Sequence, residues 1–113
     1  EGKLTVTSEK GHGIVSKDDL KLTSGEYNIT AASHALSGKN SIRIASGTYT
    51  LTSGKDGLHA ENTDDTSKGF VYIADGKFTV NCKGDGIDAG TTAQIENGTF
   101  NIHHLQVQQI LQV

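Results

Sequence analysis

One five-residue pattern recurs along nearly the whole of this 113-residue chain. It consists of a glycine, a polar residue, a large apolar residue, a second polar residue and an aliphatic residue. The five copies begin at Gly2, Gly25, Gly47, Gly76 and Gly98, so they are spaced 23, 22, 29 and 22 residues apart. Self-similarity at such a period is typical of a solenoid, in which every repeat forms one coil.

Two further apolar segments keep the same phase. The first lies about ten residues after each glycine and contains Ile14, Leu36, Leu58 and Ile87. The second lies just before the next glycine and contains the pairs Leu20 and Leu22, Ile42 and Ile44, Val71 and Ile73, and Ala93 and Ile95. Three short alternating segments per coil, separated by glycine-containing turns, predict an all-β, right-handed parallel β-helix of about five coils with three strands each.

The alternation also predicts which side chains stack inside the solenoid. One inward ladder consists of Leu4, Tyr27, Tyr49, Phe78 and Phe100, with neighbouring rungs about 4.8 Å apart. The longer third interval places its extra residues in a polar loop at 61–68, either a functional loop or a tolerated surface insertion. The repeats occupy 1–102, and 103–113 form either a cap over the open end or a foreign or truncated tail.

Composition and charge restrict the class of partner. The chain has 14 Gly, no Pro and a formal net charge of -3, and no run of Lys or Arg suggests nucleic acid or an anionic membrane. It contains no apolar stretch long enough to cross a bilayer and no signal peptide, so we expect no membrane insertion. Because it begins at Glu1, we expect a processed or trimmed piece that forms a single domain.

The corner before the second strand of each coil carries comparable polar residues, namely His12, His34, Asp56 and Asp85. Coil stacking predicts that Asp56 lies beside Asp85, roughly 5 Å away. Two carboxylates at that distance tend to share a proton or a cation. The two histidines are predicted to form a plain stack at the same corner.

Acidic residues continue outward from this corner. His59 and Asp88 follow three residues later, and Glu61, Asp64 and Asp65 of the long loop are predicted to reach the same side. Oxygen-rich clusters of this kind suit calcium, which accepts six to eight oxygen ligands. Two alternatives stay open: a solvated turn without any ion, and a transition metal shared by His59 and Asp88.

Two units carry a specific resemblance: Lys55-Asp56-Gly57-Leu58-His59-Ala60-Glu61 and Gly84-Asp85-Gly86-Ile87-Asp88-Ala89. Each is linked to an Ile-x-x-Gly-x-aromatic-x-aliphatic strand. Together they resemble bacterial secreted carbohydrate-binding β-helix proteins that are similar in fold to family 9 polysaccharide lyases. The resemblance implies bound calcium, binding of plant cell-wall polysaccharide without clear lyase activity, and a secreted or cell-surface location. Carried over by motif, Asp56, Asp85 and Asp88 become the calcium ligands.

The leading functional hypothesis is a noncatalytic, calcium-binding module for acidic pectin-type polysaccharide or cellulose. We assign Asp56, Asp85, Asp88 and Glu61 to the metal, and His59, Tyr72, Asp64 and Asp65 to ligand binding. Tyr72 is included because it is the lone aromatic residue with outward parity, and neutral glucans usually dock on exposed aromatic rings. The sequence makes no prediction of the oligomeric state.

Three other functions remain as alternatives. A calcium-assisted pectate lyase would need a base, for which Lys55 or Lys83 beside the aspartate column is a candidate. An ice or crystal-surface binder would use the outward Thr and Asn residues of the first strands as a regular array, although Thr is also an ordinary exposed strand residue. A purely structural segment of a larger β-helix is the third possibility.

Overall fold

The computed structural model describes residues 2–104, and this part of the chain contains thirteen β-strands and no helix. The strands are β1 (Lys3–Ser8), β2 (Ile14–Ser16), β3 (Asp19–Leu22), β4 (Glu26–Ala31), β5 (Leu36–Gly38), β6 (Ser41–Ile44), β7 (Thr48–Ser53), β8 (Leu58–Ala60), β9 (Phe70–Ile73), β10 (Lys77–Cys82), β11 (Ile87–Ala89), β12 (Ala93–Ile95) and β13 (Thr99–His104). Strand β13 includes His103 and His104, the first two residues of the predicted tail, and 105–113 lie outside the described residues. None of residues 2–104 belongs to a helix with the length and apolarity that crossing a bilayer would need.

The strands form three parallel sheets, and every third strand belongs to the same sheet. Sheet A has the order β1-β4-β7-β10-β13, sheet B has β2-β5-β8-β11, and sheet C has β3-β6-β9-β12. All neighbouring pairs are parallel, and each coil pairs with the next in the register that the repeat predicts. The prediction of a parallel β-helix with three strands per coil is therefore confirmed.

Stacked aromatic rings occupy the interior behind sheet A. The centroid distances are 4.9 Å between Tyr27 and Tyr49, 4.7 Å between Tyr49 and Phe78, and 4.8 Å between Phe78 and Phe100. The tyrosine hydroxyls are satisfied locally, since Tyr49 donates to the Ser46 carbonyl at 2.7 Å. Leu4 keeps the predicted register but is 44% exposed, because no described coil covers that end.

The glycine that opens the pattern makes a sharp corner before sheet A. Its φ is +124° at Gly47 and +141° at Gly76, a region that side-chain-bearing residues rarely adopt. The corner also brings coils close together, because a Cβ at Gly47 would lie 3.0 Å from the carbonyl oxygen of Gly25. These contacts explain why the repeat begins with glycine.

The long loop leaves the solenoid at the corner between sheets B and C, as predicted. Strand β8 ends at Ala60 and β9 begins at Phe70. Asn62 holds the loop against the preceding coil through a 2.7 Å hydrogen bond from its Nδ2 to Asn40 Oδ1. Its Oδ1 accepts the backbone amides of Asp64 and Asp65, each at 2.9 Å. The insertion is thus ordered by its own side chains.

The ring ladder supports a prediction about stability. Phe78→Ala should lower the free energy of unfolding by about 3–5 kcal/mol, because it removes a fully buried ring and leaves a cavity between two others. Leu4→Ala at the exposed end of the same ladder should cost less than about 1 kcal/mol. Urea unfolding with an unchanged m-value measures both. Equal costs would contradict a continuous inward ladder.

Candidate functional site

Four corner residues form a ladder of side-chain acceptors, the corner ladder, made of His12, His34, Asp56 and Asp85. Each of the first three accepts the backbone amide of the equivalent residue one coil later. The distances are 3.3 Å from His34 N to His12 Nδ1, 3.1 Å from Asp56 N to His34 Nδ1, and 2.8 Å from Asp85 N to Asp56 Oδ1. An imidazole nitrogen and a carboxylate oxygen therefore perform the same structural task. This explains why both His and Asp occur at the same corner of the coil.

The corner histidines stack, and a third imidazole joins them. The ring centroids of His12 and His34 are 5.1 Å apart, which confirms the predicted stack. His59, which belongs to β8 rather than to the corner, lies 3.9 Å from His34 with an interplanar angle of 1°. The repeat does not predict this contact, because His59 lies in a different column from His12 and His34. The signal in the sequence is that His59 follows the corner residue Asp56 by only three residues.

Three carboxylates meet next to this stack. One oxygen each from Asp56, Asp85 and Asp88 lies within 4.8 Å of the others, and we call these three residues the acidic cluster. Asp56 and Asp85 come from the corners of successive coils, while Asp88 is brought in by β11, which pairs with β8. The Asp56 residue is 9% exposed. The structure thus brings Asp88 to the pair of Asp56 and Asp85 that stacking predicts, at the edge of sheet B.

His59 lies between two of these carboxylates. Its Nδ1 is 3.0 Å from Asp56 Oδ2 and 3.1 Å from Asp88 Oδ2, and its Nε2 is 3.6 Å from Glu61 Oε1. The hydrogen bond with Asp56 raises the pKa of His59 against the opposing effect of burial, and the charge of Asp88 adds to it. When it is protonated, the imidazole neutralises part of the negative charge of the cluster.

Burial and neighbouring charges shift the pKa values of Asp56, Asp88 and His34. Burial would raise the pKa of Asp56, but hydrogen bonds from His59 and from the Asp85 amide outweigh it and hold that pKa below its usual value. Burial and the neighbouring Asp56 raise the pKa of Asp88. Burial and the positive charge of His59 lower the pKa of His34 to about 4. His34 is thus neutral at pH 7, and its 3.4 Å approach to Asp56 Oδ2 is not an ion pair.

Two histidines and Asp56 form a second group of possible metal ligands: His34, Asp56 and His59. The two imidazole rings are parallel, so their in-plane lone pairs also run parallel and do not converge on one ion. Moreover, His34 Nδ1 already accepts the Asp56 amide. The all-oxygen acidic cluster is therefore the better cation site of the two.

The remaining candidate residues lie elsewhere. Asp64 Oδ2 is 3.3 Å from Lys39 Nζ, and Asp65 contacts Ser67 and Lys68 within the loop. Tyr72 belongs to sheet C, where it pairs with Arg43 and Gln94. Of the loop acids, Glu61 contacts a residue of the site, His59. The predicted ligand-binding residues therefore divide between sheet B, the loop and sheet C.

Fold and site together define a parallel β-helix with a cluster of three carboxylates at one corner of sheet B. A family model described as carbohydrate-binding domain-containing protein matches residues 1–110, so the chain belongs to this carbohydrate-binding family. A solved structure titled "polysaccharide lyase-like protein from C. thermocellum, Gadolinium derivative" is similar, with a TM-score of 0.74 and 28% identity over 91% of this chain. The match spans 45% of that longer chain. No curated protein sequence matches.

The neutral His34 generates a prediction about pH. Its pKa is about 4 in the folded chain and 6.5 ordinarily, so the unfolded chain binds more protons between these values. The stabilisation that His34 contributes is complete above pH 6.5 and is lost as the pH falls towards 4. His34→Asn keeps an acceptor for the Asp56 amide but cannot be protonated. In chelator-containing buffer we expect this variant to lose less stability than the wild type between pH 6.5 and 4.

His34→Ala is the matched control, because it removes the acceptor at every pH. It should cost about 1–3 kcal/mol at pH 7, the penalty of an amide left without a partner. His59 titrates in the opposite sense and is common to all three proteins. Identical pH profiles for His34→Asn and the wild type, measured by thermal unfolding, would rule out a neutral acceptor at this position.

Proposed function

We propose that the chain is a noncatalytic module that binds acidic cell-wall polysaccharide of the pectin type, or cellulose, through calcium held by the acidic cluster. The observation that carries this proposal is the convergence of Asp56, Asp85 and Asp88 within 4.8 Å of one another. Membership of the carbohydrate-binding family supports the polysaccharide part. Because such polymers are extracellular, the proposal includes a secreted or cell-surface location in a bacterium.

The chemistry of the cluster favours calcium over other cations. Three carboxylates offer six oxygens, and calcium takes six to eight oxygen ligands in flexible geometry. Asp56, Asp85 and Asp88 would hold the ion, and Glu61, which contacts His59, is the candidate for a further ligand. His59 Nδ1 lies between Asp56 and Asp88, so this side chain would have to turn away to admit an ion. Calcium supplies a positive centre there that also attracts the carboxylate of an acidic sugar.

Calcium binding gives a direct test. Asp88→Asn should weaken calcium binding by about tenfold or more, because it removes one of three negative ligands at nearly constant shape. Isothermal titration calorimetry measures the affinity. Asp75→Asn is the matched control: Asp75 is exposed at a different corner, and its contact with the Gly76 amide survives in Asn. Equal affinities for both variants and the wild type would place the ion elsewhere.

Polymer binding gives a second test. The protein should be retained on polygalacturonate in calcium and released by a chelator, and Asp88→Asn should behave as the chelated wild type does. Asp75→Asn should be retained. Retention that ignores the chelator would contradict a calcium bridge, and no retention on polygalacturonate or cellulose would contradict the function. The same incubations, followed by ultraviolet absorbance, should show no unsaturated product.

A calcium-assisted lyase is the second candidate, because Lys55 and Lys83 precede the cluster on successive coils and the similar structure is titled lyase-like. Both lysines are exposed. A base that removes a proton next to a carboxylate needs a lowered pKa, which comes from burial or from neighbouring positive charge. Lys55 and Lys83 are solvated, and no enclosed pocket holds either of them against a substrate among the described residues. We therefore favour binding without catalysis.

An ordered polar face on sheet A supports a surface binder as a third candidate. In the observed register, one outward row contains Thr5, Asn28, Thr50, Thr79 and Asn101. The parallel row at the start of the strands carries the charged residues Lys3, Glu26 and Lys77. Hydrated charges interrupt a lattice-matching surface, so this face ranks below the acidic cluster.

A further inference from the structure

A shallow depression of about 270 Å³ lies on the outer face of sheet B, beside the acidic cluster. We call it the basic depression and define it by Val15, Lys17, Ser37, Lys39 and His59; Glu61 also lines it, so one carboxylate accompanies the two lysines. Its two lysines belong neither to the acidic cluster nor to the corner ladder. Its size corresponds to a small ligand group rather than to a large molecule.

The register of sheet B creates the depression. Val15, Ser37 and His59 occupy the same outward position on β2, β5 and β8. The small Ser37 therefore lies between two larger side chains, of which Val15 is 58% exposed. The next residue in this row is Asp88 of the acidic cluster. The depression and the cluster are thus consecutive along the solenoid axis.

Charge changes sign along this face. The residue that follows the strand in sheet B is Lys17 in the first coil, Lys39 in the second and Glu61 in the third. Adjacent coils are about 4.8 Å apart, so the two lysines follow one another along the axis. Lys39 Nζ already contacts a carboxylate, Asp64 Oδ2 at 3.3 Å, and that side chain is 82% exposed. An exposed ion pair of this kind contributes little and exchanges readily for another carboxylate.

We propose that the basic depression is a subsite for a carboxylate-bearing sugar, in which Lys17 and Lys39 bind the carboxylate and Val15 contacts the apolar face of the ring. This proposal rests on the proposed function and specifies its substrate as a uronate polymer that runs along the coil axis. One sugar carboxylate meets the lysines, and a later one meets the calcium at the acidic cluster. Neutral glucans lack the group that the lysines recognise.

The test compares charge-matched variants of the full chain, titrated with an oligogalacturonide in calcium. Lys17→Gln combined with Lys39→Gln should weaken binding by about fivefold, the effect expected for two exposed charge pairs, with calcium affinity unchanged. Lys3→Gln combined with Lys77→Gln is the control. These lysines are exposed on sheet A, and Lys3 also contacts an exposed carboxylate, that of Glu26 at 3.8 Å. The control should change binding by less than about twofold.

Removing the competing carboxylate should act in the opposite direction. Asp64→Asn frees Lys39 and should tighten oligogalacturonide binding by about twofold, whereas Asp75→Asn should leave it unchanged. Binding of a neutral cello-oligosaccharide should be the same in all variants. Thermal unfolding of each variant confirms that these exposed substitutions leave the fold intact.

The outcomes separate the two proposals. If the wild type binds the oligogalacturonide and the Lys17 and Lys39 double variant binds equally well, the subsite is wrong and the calcium module stands. If the sheet A control weakens binding as much, the effect is net charge and the subsite is also wrong. If the wild type does not bind in calcium, the acidic-sugar function fails and the subsite fails with it.

Discussion

The in-register parallel pairing of successive coils is the constraint on which every other feature depends. Because each residue lies above its equivalent one coil earlier, residues of similar type at equivalent positions form a column. Large rings form an inner stack, and polar corner residues form the corner ladder. A slip of one residue would turn each inward side chain outward, so the repeat and the hydrophobic core hold the register together. The columns are therefore as well defined as the core.

Stacking also brings residues of like charge together, and the residue type at the corner differs between the first and the later coils. In the first two coils the corner carries His12 and His34, each of which accepts a backbone amide through its Nδ1. In the next two coils the corner carries Asp56 and Asp85, where the same acceptor role adds negative charge. His59 contacts two carboxylates of the acidic cluster through its Nδ1. The proposed cation site is thus confined to one half of sheet B, next to a half that offers lysines.

Much of this organisation could be predicted from the sequence, because a solenoid converts sequence period directly into spatial neighbours. The three strands per coil, the ring ladder, the loop at 61–68 and the meeting of Asp56 with Asp85 all follow from that conversion. The contacts of His59 could not be predicted in this way. The repeat assigns each residue to a column, but it does not specify towards which neighbouring column the side chain turns. Asp64 and Asp65 lie in an insertion that has no equivalent in other coils, so no register predicts their partners. Tyr72 lies in the third strand of its coil, as the repeat predicts from Val71 and Ile73, so its separation from the acidic cluster could be predicted.

The corner residues hold successive coils together, and two of them also belong to the proposed cation site. The most direct test of the central claim, that stacked corners create a calcium site, is a crystal structure of the protein grown with calcium. The account predicts an ion about 2.3–2.6 Å from oxygens of Asp56, Asp85 and Asp88, with His59 displaced from between Asp56 and Asp88. Calcium bound at any other place, with His59 still hydrogen-bonded to both carboxylates, would contradict it.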